Sequence, residues 1–248
     1  MGVTTLVPDM INGSLGRRVG KMANGWLGHF GLQLVRCSPE LRSLASYSIK
    51  TVLDIGASNG GFLRKVRTVL PGAFIYCFEP LPEQFAQLQR TADQDPQAKA
   101  WNMALGSSEG VAVMHKSGDS CMSSLLPMTE VTTREFPGAV DSKPLEVTIR
   151  TLDNWAESQE LELPILIKLD VQGYEGNVIR GGTATFRKAQ VLLMEVSFME
   201  LYAGQCLFDE LYGAVRHLGF RLVGTTYPLC DHKTGRTMQT DAIFARSS

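Results

Sequence analysis

The sequence has no excess of charge of either sign and no paired cysteine motif. Its 248 residues include 24 Lys and Arg and 25 Asp and Glu, which gives a formal net charge of -1. Domains that bind nucleic acids are commonly basic, so we expect no nucleic-acid partner. The five cysteines show no C-x-x-C spacing, so the sequence indicates neither a zinc site nor a disulfide framework.

Long apolar segments are also missing. No run approaches the roughly 18 apolar residues of a membrane span, and the opening MGVTTLVPDM lacks the basic and apolar regions of a secretory signal. An odd number of thiols favours a reducing compartment, so we expect a cytoplasmic protein. Residues 11–36 combine basic and aromatic side chains. We expect them to lie on the domain as a helix, with a membrane surface as the alternative.

From Lys50 onward the chain alternates between apolar strands and amphipathic helices. The pattern predicts strands over 51–56, 73–80 and 98–106, with helices over 59–70 and 82–92. Later it predicts a strand over 164–170, a helical stretch over 175–189, a strand over 191–197, a helix near 208–218 and a hairpin formed by 221–228 and 237–245. Strands that alternate with helices of this length indicate βαβ units and a parallel sheet.

The middle of the chain breaks this alternation. Residues 110–118 resemble an antiparallel strand, and 143–157 a strand followed by a short helix from about Leu152. The long polar loop between them is either functional or disordered. We therefore divide the chain into a helical or irregular extension, residues 1–49, and one domain, residues 50–248, with a loop and hairpin insertion over about 107–150.

A glycine-rich turn, LDIGASNGGF, follows the first predicted strand. In an open parallel sheet, ligands bind beyond the carboxyl ends of the strands, where the strand order reverses. Glycines there allow a tight turn and let a ligand approach the backbone. Glu79 ends the second strand about twenty residues later, where a carboxylate can accept hydrogen bonds from ribose hydroxyls. The alternatives are a capping role for Asp54 and a solvated strand end for Glu79.

A nicotinamide site would show G-x-G-x-x-G, whereas this turn has Gly56, Ser58 and Gly61 after Asp54. This spacing favours a methyl donor. The segments VLDIGASNGGF, CFEPLPEQFAQLQ, NMALGSSEG, TLDNWAE, IKLDVQGYEGNVIRGG and VLLMEVS resemble, in order and register, the FkbM family of S-adenosylmethionine-dependent methyltransferases. The resemblance covers about residues 51–245. One departure is Gln172, where many members carry glutamate.

The resemblance implies a Rossmann-like class I methyltransferase of the α/β class. Its seven-stranded, mostly parallel sheet would have an antiparallel last strand and helices on both faces. The implied activity is transfer of a methyl group from S-adenosylmethionine to oxygen, often on a sugar or polyketide hydroxyl. The residues implied in donor binding are Asp54, Gly56, Ser58, Asn59 and Gly60 at the methionine part, Glu79 at the ribose, and Asn102 to Ala104 beside the adenine. For Asn102 the alternative is a turn residue.

The fourth strand of the predicted sheet ends next to the first, so Asp170 is expected near the reactive end of the donor. It is our first candidate for the base or acceptor-orienting group, followed by Glu175 and Glu195. The alternatives are that Asp170 binds the donor's amino group or caps a helix, and that the two glutamates are structural. Lys168 lies on the same strand face as Asp170, so we expect it to tether a carboxylate.

The acceptor side of the site is predicted from composition. The segment CMSSLLPM, residues 121–128, is called the acceptor loop below, because it offers hydroxyl groups and apolar contacts. The candidate acceptor-binding residues are Ser123, Ser124, His115 and Lys168. His115 and His232 are alternative bases, while His29 and His217 lie outside the predicted site. Asp170 and Glu195 with a third oxygen ligand are an alternative metal site, but no spacing demands one, and we predict no metal.

The function predicted from the sequence is O-methyl transfer to a small or carrier-linked metabolite, with a sugar favoured in a glycolipid, polysaccharide or glycosylated natural product. Two alternatives stay open: a non-catalytic S-adenosylmethionine-binding protein, and an NAD-dependent oxidoreductase on the same fold. The sequence does not specify the oligomeric state.

Overall fold

The protein is described from a computed structural model, which covers residues 39–139, 141–231 and 233–246. The expectations for residues 11–36, His29 and His232 fall outside these ranges. A compact unit spans Ser38–Ser248. Its 3₁₀-helix Pro39–Tyr47 buries Leu41 and Leu44 in the same apolar cluster as Val52.

The strands, in chain order, are β1 (Thr51–Ile55), β2 (Phe74–Phe78), β3 (Ala98–Trp101), β4 (Ala104–Leu105), β5 (Gly110–Ser117), β6 (Asp141–Arg150), β7 (Ile165–Leu169), β8 (Ala189–Ser197), β9 (Phe220–Cys230) and β10 (Thr237–Arg246). The α-helices are α1 (Gly61–Arg67), α2 (Pro82–Ala92), α3 (Glu130–Glu135), α4 (Leu152–Glu157), α5 (Glu175–Gly181), α6 (Thr183–Lys188) and α7 (Phe208–His217). Two short 3₁₀-helices, Ser120–Met122 and Pro137–Ala139, lie in the long central loop.

The main sheet has seven strands in the order β3-β2-β1-β7-β8-β10-β9. All its neighbouring strands are parallel except β10, which is antiparallel to β8 and β9. The chain proceeds from β1 outward to β3 and then returns to the other side of β1 as β7, so the strand order reverses between β1 and β7. The predicted fold class, including the antiparallel last strand, is confirmed.

Side chains on alternate positions of the strands form the core on both faces of this sheet. Leu53 and Ile55 of β1 belong to a cluster that includes residues of α4 to α7. Val52, on the opposite face, packs with residues of α1, α2 and the 3₁₀-helix. Successive side chains of a strand point to opposite faces of the sheet, and both faces of β1 are buried. It also puts Asp54, which shares the face of Val52, beneath α1.

Two predicted elements differ from the structure. The strand predicted over 98–106 ends at Trp101, because the side-chain amide of Asn102 donates to the carbonyls of Glu79 (2.9 Å) and Pro80 (3.0 Å) and the chain turns there. After Met103, residues Ala104–Leu105 form β4, which pairs with β6 in a small sheet of order β4-β6-β5. The stretch 175–189 contains two helices that meet at Gly182. Within the described ranges, no helix is both long and apolar enough to span a bilayer.

Candidate active site

The glycine-rich turn after β1 has an unusual backbone. Gly56, Ser58 and Gly60 all have positive φ angles, of 78°, 48° and 80°. Glycine adopts such angles without steric cost, whereas the αL conformation of Ser58 is uncommon for a residue with a side chain. The turn therefore brings its backbone to the carboxyl end of the sheet and leads into α1, for which Gly60 is the N-cap.

Glu79 follows β2 and faces this turn. It is 5% exposed, and its two carboxylate oxygens accept hydrogen bonds from the backbone N–H groups of Ser58 and Leu81, each at 2.8 Å. Burial raises the pKa of Glu79 to about 7, against the opposing effect of these two hydrogen bonds. A carboxylate oxygen has more than one acceptor position, so Glu79 can still bind hydroxyl groups in the cleft that it lines.

A cleft of about 690 Å³, including its open mouth, lies at the carboxyl ends of β1, β2 and β7. Of the predicted donor-site residues, Gly56, Ser58, Glu79 and Ala104 line it. Apolar side chains, among them Leu81, Met103, Leu105, Met114 and Leu125, make up much of the remaining wall. The result is a largely apolar pocket with a few polar groups, as expected of a cofactor site.

Four predicted donor-site residues do not line the cleft, and three of them, Asn59, Gly60 and Asn102, support the loops around it. Asn59 is exposed and accepts hydrogen bonds from Arg64 through its backbone and side-chain oxygens. Gly60 is buried beside α2. Asn102 holds the loop after β2 through the two carbonyl contacts described above. The contacts of these residues therefore hold the glycine-rich turn and the loop after β2 in place from outside the cleft.

Asp54 does not line the cleft either, because it is fully buried on the α1 face of the sheet. Its nearest charged partner is Lys168, whose Nζ lies 3.5 Å from its Oδ1, and neither carboxylate oxygen has a hydrogen bond among the described residues. Burial raises the pKa of Asp54, and the charge of Lys168 opposes this effect. Lys168 links this pair to the glycine-rich turn, because its ammonium donates a hydrogen bond to the carbonyl of Gly56 at 2.8 Å.

Lys168 also binds Asp170, with Nζ 3.3 Å from Oδ2. Burial alone would lower the pKa of Lys168, but the charges of Asp170 and Asp54 raise it above its ordinary value. The lysine is therefore a buried cation between the glycine-rich turn and the loop after β7. Its ammonium is already coordinated by protein groups, so the geometry favours the predicted tether over direct contact with an acceptor.

Asp170 follows β7 and lines the cleft, with 35% of its side chain exposed. One oxygen faces Lys168, and the other accepts a hydrogen bond from the side-chain amide of Gln172 at 2.8 Å. Both oxygens are therefore held in place while the carboxylate stays open to the cleft. Among the three predicted catalytic carboxylates, Asp170 is the one that lines the cleft.

Glu195 lies next to it at the end of β8, partly buried. Its Oε2 accepts a hydrogen bond from the Gln172 amide at 2.9 Å, and its Oε1 accepts one from Gln239 at 2.8 Å. Burial raises the pKa of Glu195 well above its usual range, and the charges of Asp170 and Glu175 add to the effect. The structure thus brings Asp170 and Glu195 together through a shared amide.

Glu175, the first residue of α5, points back at its own loop. It is 3% exposed, and its Oε1 accepts hydrogen bonds from the backbone N–H groups of Val171 (3.0 Å) and Gly173 (3.3 Å). Burial raises its pKa to about 7. Glu175 does not line the cleft. Its contacts favour a role in holding the loop over a role in proton transfer.

The acceptor loop approaches the same cleft. Ser123 lines the cleft, and its hydroxyl accepts a hydrogen bond from the backbone N–H of Ser117 at 3.0 Å. Ser124 is 1% exposed and donates to the carbonyl of Gln172 at 2.6 Å. Its backbone also pairs with that of His115, and neither residue lines the cleft. Cys121 and Ser123 of the acceptor loop, and Ser120 just before it, therefore line the cleft.

The alternative metal site requires converging ligands. In the part of the chain that the structure describes, no group of three or more His, Cys, Asp or Glu side chains is arranged to hold a metal ion. The position between Asp170 and Glu195 is occupied by the amide nitrogen of Gln172, which donates to both. His217, on α7, contacts the carbonyl of Gly213 and is not part of the cleft.

Two residues of this site were not predicted from the sequence. The hydroxyl of Tyr202 lies 2.7 Å from Oε1 of Gln172 and 3.1 Å from the carbonyl oxygen of Met122. Gln239 reaches Glu195 from the neighbouring antiparallel strand. Tyr202 lies in an irregular segment and Gln239 on a terminal hairpin, so no motif spacing pointed to either.

The reversed strand order, the glycine turn and the acid at the end of β2 define a class I methyltransferase fold. Residues 54–222 match the model of the methyltransferase FkbM domain. The chain therefore belongs to the FkbM methyltransferase family.

Individual relatives share this relationship to different extents. The 2-O-methyltransferase NoeI of Sinorhizobium fredii (strain NBRC 101917 / NGR234) is 30% identical over 172 residues, which are 67% of this chain and 71% of the relative. A crystal structure of methyltransferase FkbM from Methylobacillus flagellatus KT matches with a TM-score of 0.48 and 15% identity, covering 79% of this chain and 44% of that one. This chain thus spans less than half of that protein.

A third similar structure is magnesium protoporphyrin IX methyltransferase (ChlM) from Synechocystis PCC 6803 with bound S-adenosylmethionine. It matches with a TM-score of 0.45 and 11% identity over 93% of this chain and 79% of that chain.

S-adenosylmethionine is the cofactor of this methyltransferase family, and the cleft fits it. Glu79 offers a buried carboxylate of the kind that can accept hydrogen bonds from ribose hydroxyls, and Leu81, Met103 and Ala104 offer an apolar wall against which an adenine would pack. The glycine turn leaves backbone exposed for the methionine part. The residues that line the cleft are therefore of the kinds that this donor needs.

Proposed function

We propose that the protein is an S-adenosylmethionine-dependent O-methyltransferase that acts on a hydroxyl group of a small or carrier-linked metabolite, specifically of a sugar. The observation that carries the proposal is the position of Asp170. Its carboxylate lines the same cleft as the glycine turn and Glu79, and it lies across the point where the strand order reverses. The relative named 2-O-methyltransferase supports transfer to oxygen.

When bound, S-adenosylmethionine supplies an electrophilic methyl group on a sulfonium. The protein's part is to orient the acceptor oxygen and to take its proton. Asp170 suits the second task, because its carboxylate lines the cleft and one of its oxygens is held 3.3 Å from Nζ of Lys168. Its other oxygen is fixed by Gln172 at 2.8 Å. An acceptor hydroxyl can then donate to a carboxylate of defined orientation.

The wall of the cleft suits a polyhydroxylated acceptor. Hydroxyl groups can bond to Asp170, Ser120 and Ser123, which line the cleft. Apolar contacts from Leu125 and Val171 are available to the less polar face of a ring. The proposed acceptor is a sugar and not a nucleic acid, and the chain, with a net charge of -1, lacks the basic surplus that nucleic-acid binding commonly requires.

Two measurements test the proposal in sequence. Calorimetric titration of the full chain with S-adenosylmethionine and, separately, with NADH is expected to show binding of the first alone. Incubation with donor carrying an isotope-labelled methyl group and a panel of free, lipid-linked and glycosylated sugars should then yield a labelled methyl ether, located by NMR. Binding of NADH in place of S-adenosylmethionine would contradict the proposal. Donor binding without transfer to any hydroxyl acceptor would support the non-catalytic alternative.

A further inference from the structure

Gln172 lies at the centre of the contacts on the acceptor side of the cleft, and the mechanism above uses it for only one of them. The residue follows Asp170 by two positions, has a positive φ of 55° and lines the cleft. Its carbonyl oxygen accepts the short hydrogen bond from Ser124, so its backbone is fixed by the acceptor loop. A residue with a side chain is rarely held in this conformation without a reason in the surrounding structure.

The side-chain amide of Gln172 makes three contacts with three different segments. Its nitrogen donates to Asp170 at 2.8 Å and to Glu195 at 2.9 Å, and its oxygen lies 2.7 Å from the hydroxyl of Tyr202. The amide nitrogen has two N–H donors for the two carboxylates, and the amide oxygen faces the Tyr202 hydroxyl. Only one orientation of the amide satisfies all three partners. The orientation of the side chain is therefore determined by its neighbours.

Asp170 and Glu195 both lie within hydrogen-bonding distance of the same amide nitrogen, so two ionised carboxylates there would repel each other. A neutral amide can bind both without adding charge, whereas a glutamate at this position would place a third carboxylate between them. Tyr202 extends the connection, because its hydroxyl also lies 3.1 Å from the carbonyl oxygen of Met122 in the acceptor loop. The same amide thus connects the ends of β7 and β8 with the acceptor loop, which lines part of the cleft.

We propose that Gln172 is a positioning residue, whose amide fixes Asp170 and Glu195 in one arrangement and couples that arrangement to the acceptor loop through Tyr202. The inference rests on the proposed function for its consequence in turnover, but its geometry can be tested without an acceptor. Two substitutions separate the contributions. Gln172→Met keeps the length and removes the hydrogen bonds, and Gln172→Glu keeps the shape and replaces the donor with a negative charge.

Titration of Glu195 by NMR, in protein carrying ¹³C at the glutamate carboxyls, reports the contact directly, with the resonance assigned by Glu195→Gln. The groups that face Glu195 are Lys168 from β7, Asp170 just after it, Glu175 from α5, Asp241 from β10 and Tyr202. The Gln172 variants alter none of these. A lost donor disfavours the carboxylate form, so Gln172→Met should move the Glu195 midpoint up by about one pH unit, and Gln172→Glu further. The exposed Gln94→Glu is the matched control and should leave the midpoint unchanged.

Turnover provides the second readout, once an acceptor is known. Gln172→Met should lower kcat about ten- to hundredfold while the dissociation constant of S-adenosylmethionine stays within about twofold, because the donor contacts lie elsewhere in the cleft. Tyr202→Phe should give a smaller fall in kcat, with the Glu195 midpoint nearly that of the wild type.

An unchanged Glu195 midpoint in both Gln172 variants overturns the inference, whatever the turnover. The Glu variant keeps the shape of the side chain and so remains available if the Met variant does not fold. Failure of the wild-type protein to methylate any acceptor would overturn the proposed function instead, and it would leave the titration result standing.

Discussion

The backbone carbonyl oxygen of Asp170 occupies the space next to the α-carbon of Gly56. A β-carbon built on Gly56 would lie 1.8 Å from that oxygen, far inside van der Waals contact, and the φ of Gly56 is +78°. The absence of a side chain at Gly56 therefore allows the donor turn and the loop after β7 to touch. This contact places the glycine turn and Asp170 against the same cleft.

Gly56→Ala should consequently disrupt both loops. The methyl group would collide with backbone, which cannot move aside as a flexible side chain does, and the left-handed conformation adds strain. We expect a loss of about 3 kcal/mol or more in the free energy of unfolding, measured by urea denaturation, together with weaker donor binding. Gly72→Ala is the matched control, since a β-carbon there meets no atom within 4 Å. Equal stabilities of the two variants would contradict the contact.

Donor affinity should depend on pH through Glu79. Burial raises the pKa of this carboxyl to about 7, and it is the ionised form that accepts hydrogen bonds from ribose hydroxyls. As the pH falls below 7, the group takes up a proton that donor binding must displace, so the dissociation constant of S-adenosylmethionine should rise, approaching tenfold per pH unit. Calorimetry between about pH 5.5 and 8.5 measures this dependence. In Glu79→Gln binding should be weaker and nearly independent of pH, and a wild-type affinity that is constant over this range would refute the assignment.

Lys168 should be essential for stability. Lys168→Met leaves Asp54, fully buried, without its nearby cation, and breaking a buried pair in this way typically costs about 3–5 kcal/mol. The double substitution Asp54→Asn with Lys168→Met removes the uncompensated charge and should recover part of the loss. The exposed Lys50→Met is a control. Denaturation curves for Lys168→Met and Lys50→Met that coincide would show that the pair contributes little.

Glu175 provides a test that separates a structural carboxylate from a catalytic one. Glu175→Ala leaves the buried N–H of Gly173 and that of Val171 without their acceptor, which should cost about 1–3 kcal/mol of stability each. Glu175→Gln keeps an amide oxygen in the same place, so most of the stability and turnover should remain. A loss of turnover in the glutamine variant at unchanged stability would instead identify Glu175 as the group that transfers the proton.

The overall fold was predictable because its signals are local. Alternating apolar segments predict a parallel sheet, and Pro82 at a first helical turn marks the start of α2 at the residue observed. The break in the strand predicted over 98–106 was not predictable in this way. It depends on Asn102 binding carbonyls of Glu79 and Pro80, residues more than twenty positions away.

The position of the candidate site in the fold was easier to predict from the sequence than the orientation of its individual side chains. Gly56, Ser58, Glu79 and Asp170 lie at strand ends, so their common cleft follows from the topology of a parallel sheet. The orientation of Asp54 toward α1 and the backbone contacts of Glu175 depend on side-chain geometry that spacing does not encode. Tyr202 contacts Gln172 from an irregular segment thirty residues away, and no periodic sequence pattern predicts such a contact.

The most direct test of the account is the effect of Asp170→Asn on turnover and on donor affinity, measured with the acceptor found in the sugar panel. The asparagine keeps the size of the side chain but cannot accept a proton at neutral pH. If Asp170 is the base, kcat should fall about a hundredfold or more while the dissociation constant of S-adenosylmethionine stays within about twofold. A variant that transfers methyl groups at the wild-type rate would contradict the account.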